Sequence, residues 1–246
     1  MNTNSNKYVF LYITVLVLIV AVALSIFSIK LQPLQKANMD IEKMQQILTA
    51  ANYKNIPKNE VINQYKNLTR EIIIDNNGKV ISTYNFSNDS ENDRAFNIIV
   101  SEEYQKAFDG KTNYLLPIFA VKNPDNSISN VIPVAGKGLW GPIWGYMAIA
   151  PDGNTIQGAI FDHKSETPGL GGEVSTEKFA SMFEGKMLFN NNDEYVAVKL
   201  VKGGLINHNI DPNHGVDAIS GGTITSQGVE NMIHDCLKLY IPYIKK

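Results

Sequence analysis

The sequence predicts an α+β domain of antiparallel strands with packed helices, carried behind a single N-terminal transmembrane helix. Three observations predict it. Residues Tyr8 to Ile29 (YVFLYITVLVLIVAVALSIFSI) hold no charged side chain. Between residues 71 and 163, short apolar runs alternate with turns rich in Gly, Asn and Pro, the pattern of antiparallel strands. Val229, Met232, Ile233, Cys236, Leu237 and Tyr240 recur at helical spacing and mark one face of a closing helix.

Composition sets the outer bounds. The 246 residues carry 22 Lys+Arg against 24 Asp+Glu, for a formal net charge of −2, and are 44% hydrophobic. This is ordinary globular composition, which excludes a disordered or collagen-like chain. The near-neutral balance gives no basic face for nucleic acid. The one cysteine, Cys236, excludes a disulfide framework within the chain and a cysteine-built metal or iron–sulfur site. It stands in the apolar stripe of the last helix and reads as a small core residue.

In chain order, residues 1–7 form a tail and residues 8–29 the membrane span. At 1.5 Å per residue the span covers about 33 Å, enough for a hydrocarbon core of roughly 30 Å. Ala21-Val22-Ala23 has the form of a signal-peptide cleavage site, but the apolar run is too long and continues to Ile29, so a retained anchor is the better reading. Lys7 precedes the span, while Lys30, Lys36 and Lys43 follow it. That asymmetry does not direct the C-terminal part outward.

Residues 30–56 read as an amphipathic helical stalk entered at Pro33, with Ile41, Met44, Ile47 and Leu48 near one face. The α+β domain then spans 57–246. It opens with a helix to about Leu68. A hairpin follows over Glu71–Asp75 and Val80–Phe86, turned at Asn76-Asn77-Gly78. After a polar loop at 87–93 come a helix near 101–109, strands at Leu115–Val121 and Asn130–Ala135, and a glycine-rich loop at 136–142. Strands at Trp144–Ala150 and Thr155–His163, a short helix near Ser175–Glu184, a strand at Tyr195–Val201 and the final helix complete the domain.

Two segments carry candidate chemistry. In Asp217-Ala218-Ile219-Ser220-Gly221-Gly222-Thr223-Ile224-Thr225-Ser226, two glycines and four hydroxyl residues surround a helix start. A helix start has free N–H donors and a partial positive charge, so it favours an anion such as phosphate. The same hydroxyls also suit plain N-capping, and the sequence leaves both readings open. In His163-Lys164-Ser165-Glu166-Thr167-Pro168-Gly169-Leu170-Gly171-Gly172, Gly and Pro shape a loop after a strand, the kind that lines a site or merely connects. Trp140 stands in a Gly-flanked loop, where it either fills the core, the commoner fate of an isolated Trp, or lies against a planar ligand. The four histidines show no metal spacing, so no metal site is assigned. No Walker loop, dinucleotide fingerprint or nucleophile elbow is present, so any NAD(H) or ATP chemistry must happen elsewhere.

The anchor followed in order by GKGLWGPIWGYMAI, HKSETPGLGGEV and DAISGGTITSQGV resembles the C subunit of the bacterial sodium-translocating NADH:quinone reductase (Nqr family). The G subunit of the Rnf electron-transport complex shares the flavin-binding domain and is the nearest alternative; a cofactor-free assembly module is the alternative of another class. The resemblance implies FMN held covalently, its phosphate esterified to the threonine that closes a Ser/Thr-Gly-Ala-Thr motif. That position is Thr223, with Gly222 in place of the usual Ala.

It further implies that Ser220, Gly221, Gly222, Thr225 and Ser226 surround the phosphate, and that Glu166, Thr167, Gly169, Leu170, Gly171 and Trp140 border the flavin ring. Asp217 would assist recognition by a magnesium-dependent flavin transferase that takes FMN from FAD. The implied setting is a membrane assembly of six different subunits in the bacterial inner membrane, with this domain on the periplasmic side relaying electrons toward quinone.

Overall fold

The computed structural model describes residues 6–86, 94–208 and 210–245. The polar loop expected at 87–93 lies outside the described residues. The chain divides into two compact units, 1–43 and 44–246. The second unit therefore begins at Met44, ahead of the expected boundary at 57.

Helix α1 (Asn6–Ala50) is one continuous element that passes through Pro33. Sequence reading expected a fresh start there. Proline there removes one backbone bond and its ring crowds the carbonyl of Ile29 one turn earlier, a cost that a long helix can take up by a local bend. Among the described residues α1 is the one helix long and apolar enough to cross a membrane. Inside the apolar run, the Thr14 and Ser25 hydroxyls donate to the carbonyls of Phe10 and Ala21, each 2.8 Å away and one turn earlier. Their polarity is thus satisfied within the helix, as a hydrocarbon medium requires.

The second unit is built on a six-stranded antiparallel sheet, as the alternating pattern predicts. Its strands are β1 (Thr69–Asp75), β2 (Val80–Tyr84), β3 (Leu115–Lys122), β4 (Ile128–Lys137), β5 (Pro142–Ile149) and β6 (Ile156–His163), in the order β2-β1-β3-β4-β5-β6. In the β1–β2 turn only Gly78 of the Asn77-Gly78 pair takes a positive φ. The Asp75 carboxylate accepts from the N–H groups of Asn77 and Lys79 and so sets the turn locally.

One face of the sheet carries Ile72, Ile74, Leu116, Ile118, Ile132, Val134 and Met147 into the main core. Helices α3 (Val100–Phe108), α4 (Glu177–Ser181) and α5 (Thr223–Lys238) belong with this face. The predicted stripe of α5, Val229 to Tyr240, is buried throughout. The opposite face buries Ile73, Phe119, Val121, Val131 and Tyr146. Helix α2 (Val61–Leu68) meets it through the Tyr65 hydroxyl, which donates to buried Glu71. The end of α1 meets it through Gln46 to Asp162, and the turn after α1 through Asn52 to the Gln157 carbonyl. Burial on both faces explains the nearly unbroken apolar run of β3.

The β3–β4 ladder runs from Lys122–Ile128 to Phe119–Val131 and stops. Continued in register, it would set Pro117 opposite Pro133, and neither has an N–H to give. Two buried tyrosines close the gap: Tyr104 donates to the Pro133 carbonyl, Tyr240 donates to the Pro117 carbonyl at 3.2 Å, and the two hydroxyls meet at 2.9 Å.

The strand expected at Tyr195–Val201 shortens to β7 (Lys199–Val201). Ala197 takes φ +56°, and the N–H groups of Val196 and Ala197 both turn onto the Leu188 carbonyl. β7 pairs in parallel with β8 (Gly215–Asp217), a crossover that periodicity does not reveal. A four-residue helix, α6 (Ile241–Ile244), ends the described chain.

Candidate functional site

Three chain segments converge on a cavity of about 400 Å³: the β4–β5 hairpin tip, the loop after β6, and the start of α5. A larger hollow of about 710 Å³ lies elsewhere, lined by Lys66, Arg70 and Lys122 among others. It is open and polar and holds none of the residues singled out from the sequence.

The hairpin tip is short because the Gly138 N–H closes onto the Gly141 carbonyl at 2.8 Å. The Trp140 backbone is then tied down at both ends. Its N–H donates to Glu166 Oε1 at 2.8 Å, and its carbonyl accepts from the Ser165 hydroxyl. Its indole is left in the open, 66% exposed, against the core position expected of an isolated Trp. Leu139 beside it is also exposed.

The loop after β6 is held by its own backbone. Leu170 and Gly172 both donate to the Thr167 carbonyl, and the Glu166 N–H donates to His163 Nδ1 at 3.1 Å. That bond fixes the imidazole with Nδ1 as acceptor. The tight turn leaves Thr167 and Leu170 along the cavity, while the Glu166 side chain is buried at 4% exposure.

The α5 start resolves the open question of capping. Gly222 is the N-cap residue and supplies no side-chain bond. The hydroxyls that could have capped the helix are turned to other partners: Thr225 Oγ1 donates to Glu166 Oε2 at 2.6 Å, and Ser226 Oγ accepts from the Ile219 N–H at 3.0 Å. Thr223, the first residue of α5, is exposed, lines the cavity, and makes no hydrogen bond through its hydroxyl among the described residues. Gly221 takes φ +73°, and a Cβ there would come within 2.5 Å of Leu170 Cδ2. The positive φ favours glycine at that point, and a Cβ would also push the Leu170 side chain aside.

Of the residues expected to border a flavin, the structure brings Trp140, Glu166, Thr167, Leu170, Gly171, Gly221, Gly222, Thr223 and Thr225 to the cavity wall. Four expected residues lie off it. Ser220 is exposed beyond the wall, Gly169 occupies the outer turn of its loop, and Ser226 points back into the protein. Asp217 faces away; its carboxylate accepts from the Leu205 N–H at 2.9 Å. Sequence reading missed Leu139 and Ile224. Ile224 carried a usable signal, since it is an apolar residue off the buried stripe of its own helix.

Chemically the cavity has two kinds of wall. One is a helix start whose first N–H groups have no side-chain cap, beside a free hydroxyl. The other is apolar, formed by Leu139, Trp140, Leu170 and Ile224, each at least 44% exposed. Such a pairing suits a ligand with an anionic head and a flat apolar body, and the volume is that of a small-molecule site.

Comparison with known proteins agrees. An FMN-binding domain family model matches residues 138–238. The C subunit of the Na(+)-translocating NADH-quinone reductase of Vibrio vulnificus is 33% identical over 217 residues, covering 85% of this chain and 81% of that protein. The crystal structure of the corresponding C subunit from Parabacteroides distasonis superposes with a TM-score of 0.72 at 34% identity, over 88% of this chain and 98% of that one. NqrC from Shewanella oneidensis gives 0.66 at 28%, over 85% and 99%. With this identity spread over most of both chains, the chain is a member of the family of Na(+)-translocating NADH-quinone reductase C subunits.

Proposed function

We propose that the chain carries FMN covalently, through a phosphoester to Thr223, and relays electrons within a Na(+)-translocating NADH:quinone reductase. The observation that carries this reading is the sorting of the four hydroxyls around the α5 start. Thr225 and Ser226 are committed to protein partners, and Ser220 stands off the cavity. Thr223 alone of the four is exposed, unbonded and in the cavity wall.

The residues present fit the group. The uncapped N–H groups of α5 would hold its phosphate, and Thr223 Oγ1 would supply the bridging oxygen. Trp140, Leu139, Leu170 and Ile224 would cover the flat ring while the Thr167 segment borders its edge. FMN, when bound, supplies the uptake and release of one or two electrons. The chain's own residues hold it, exclude water from one side, and leave the other side open to a redox neighbour.

In the same reading, a flavin transferase loads the chain, and Asp217 assists that recognition from the rim beyond the site. The mature protein serves in a membrane assembly of six different subunits, its helix anchored in the bacterial inner membrane and its domain periplasmic. Expression with a flavin transferase followed by denaturing electrophoresis tests the attachment. The chain should fluoresce as a flavin conjugate, and Thr223→Val should be dark. A dark wild-type chain would contradict the proposal and favour a cofactor-free assembly module.

A further inference from the structure

Glu166 is an acid buried at the site without an ion-pair partner among the described residues. It is buried, its carboxylate lines the cavity wall, and its two oxygens meet only neutral donors: the Trp140 N–H at 2.8 Å and the Thr225 hydroxyl at 2.6 Å. Among the described residues it forms no ion pair, in contrast to buried Glu71, whose carboxylate is met by the Arg94 guanidinium at 2.8 Å. The backbone is shaped around it. A Cβ on Gly138 would come within 2.5 Å of Oε1, and one on Gly171 within 2.4 Å of Oε2. Its own N–H is held by His163. The carboxylate therefore joins all three segments of the site and has no room to swing out.

A buried carboxylate with no ion-pair partner projects a field that water screens poorly. Resting on the reading that FMN occupies this cavity, we infer that Glu166 is a positioning residue whose buried negative charge, met by no ion-pair partner among the described residues, holds the bound flavin at a low reduction potential. Each electron taken up adds negative charge to the ring unless a proton follows it. A fixed negative charge in the wall opposes that uptake and favours giving the electron onward. The Thr225 hydroxyl, by sharing the charge, moderates the effect.

The test is a spectroelectrochemical titration of the flavin-loaded full-length chain and three variants. Glu166→Gln keeps the shape and can bond both partners, but removes the charge. Its flavin should be easier to reduce, with the reduced-to-oxidised ratio rising roughly threefold or more at the poise that half-reduces the parent. Glu166→Asp keeps the charge and should stay nearer the parent than the Gln variant. Thr225→Val withdraws a donor while the charge remains, so its flavin should become harder to reduce.

Loaded Glu166→Gln with an unmoved or lowered potential would overturn the inference. So would a rise in Thr225→Val matching that of Glu166→Gln, since loosening of the clamp would then explain both. If Glu166→Gln does not fold, Thr225→Val decides alone: a fall supports the inference, and a rise or no change overturns it. A parent chain that carries no flavin at all would instead defeat the functional reading on which this one stands.

Discussion

At its C-terminal end α5 runs into the core. Tyr240 just beyond it is wholly buried, and its hydroxyl is engaged with Tyr104 and the Pro117 carbonyl. At its N-terminal end the same helix begins on Gly222, with no side-chain cap and with Thr223 exposed to the cavity. At one end the buried side-chain polar atoms have partners among the described residues. The other leaves donors and a hydroxyl free, and leaves Trp140, Leu170 and Ile224 in the open beside them. Pairing marks where the domain holds itself together, and the lack of pairing marks where it is prepared to hold something else.

Substitutions at the two ends should therefore separate loading from stability. The largest effect falls on Thr223→Val, which should abolish in-gel flavin fluorescence yet change unfolding free energy by no more than about 0.5 kcal/mol, as measured by denaturant titration. Tyr240→Phe should do the reverse. It leaves the Pro117 carbonyl without its donor and should cost about 1–3 kcal/mol, with flavin still attached. A Tyr240→Phe chain that lost flavin at full stability would break the separation.

Gly221→Ala probes the open end from the backbone side. A positive φ and the Leu170 contact together should cost about 1–2 kcal/mol and lower the fraction of chains that take up flavin, read as the absorbance ratio of flavin to protein.

The smallest effect is a pH dependence at the closed end. Burial pushes the Cys236 thiol up to about 12 from its ordinary 9.0. The folded state holds this proton more tightly than the unfolded chain does. The resulting stability is whole below pH 9.0 and is lost as pH rises toward the folded value. By about pH 9.5 the loss should be about 0.8 kcal/mol, and Cys236→Ala should flatten the stability slope between about pH 8 and 9.5.

Much of this was legible in the sequence because it depends on periodicity. The α5 stripe and the antiparallel strands β1 to β6 follow from residue spacing alone. Thr223 was singled out through the resemblance of its motif, and it lines the cavity. What escaped depends on backbone paths that no local pattern encodes. The sequence left the hydroxyls of Thr225 and Ser226 open between capping and holding a phosphate, and the turn through Gly221 and Gly222 aims them at Glu166 and Ile219 instead. Trp140 was open between the core and a ligand wall, and a tight hairpin tip fastened through its backbone leaves it exposed at the cavity. The parallel β7–β8 pair joins segments across the 202–214 crossover, and a left-handed Ala197 cuts short what looked like a full strand.

Intact-mass spectrometry of the full-length chain, purified from a host that makes the complete assembly, tests the attachment at Thr223 most directly. The account predicts a species heavier than the amino acids by one FMN less one water, with that increment absent from Thr223→Val. A native chain at its bare polypeptide mass, or a Thr223→Val chain that keeps the increment, would contradict it.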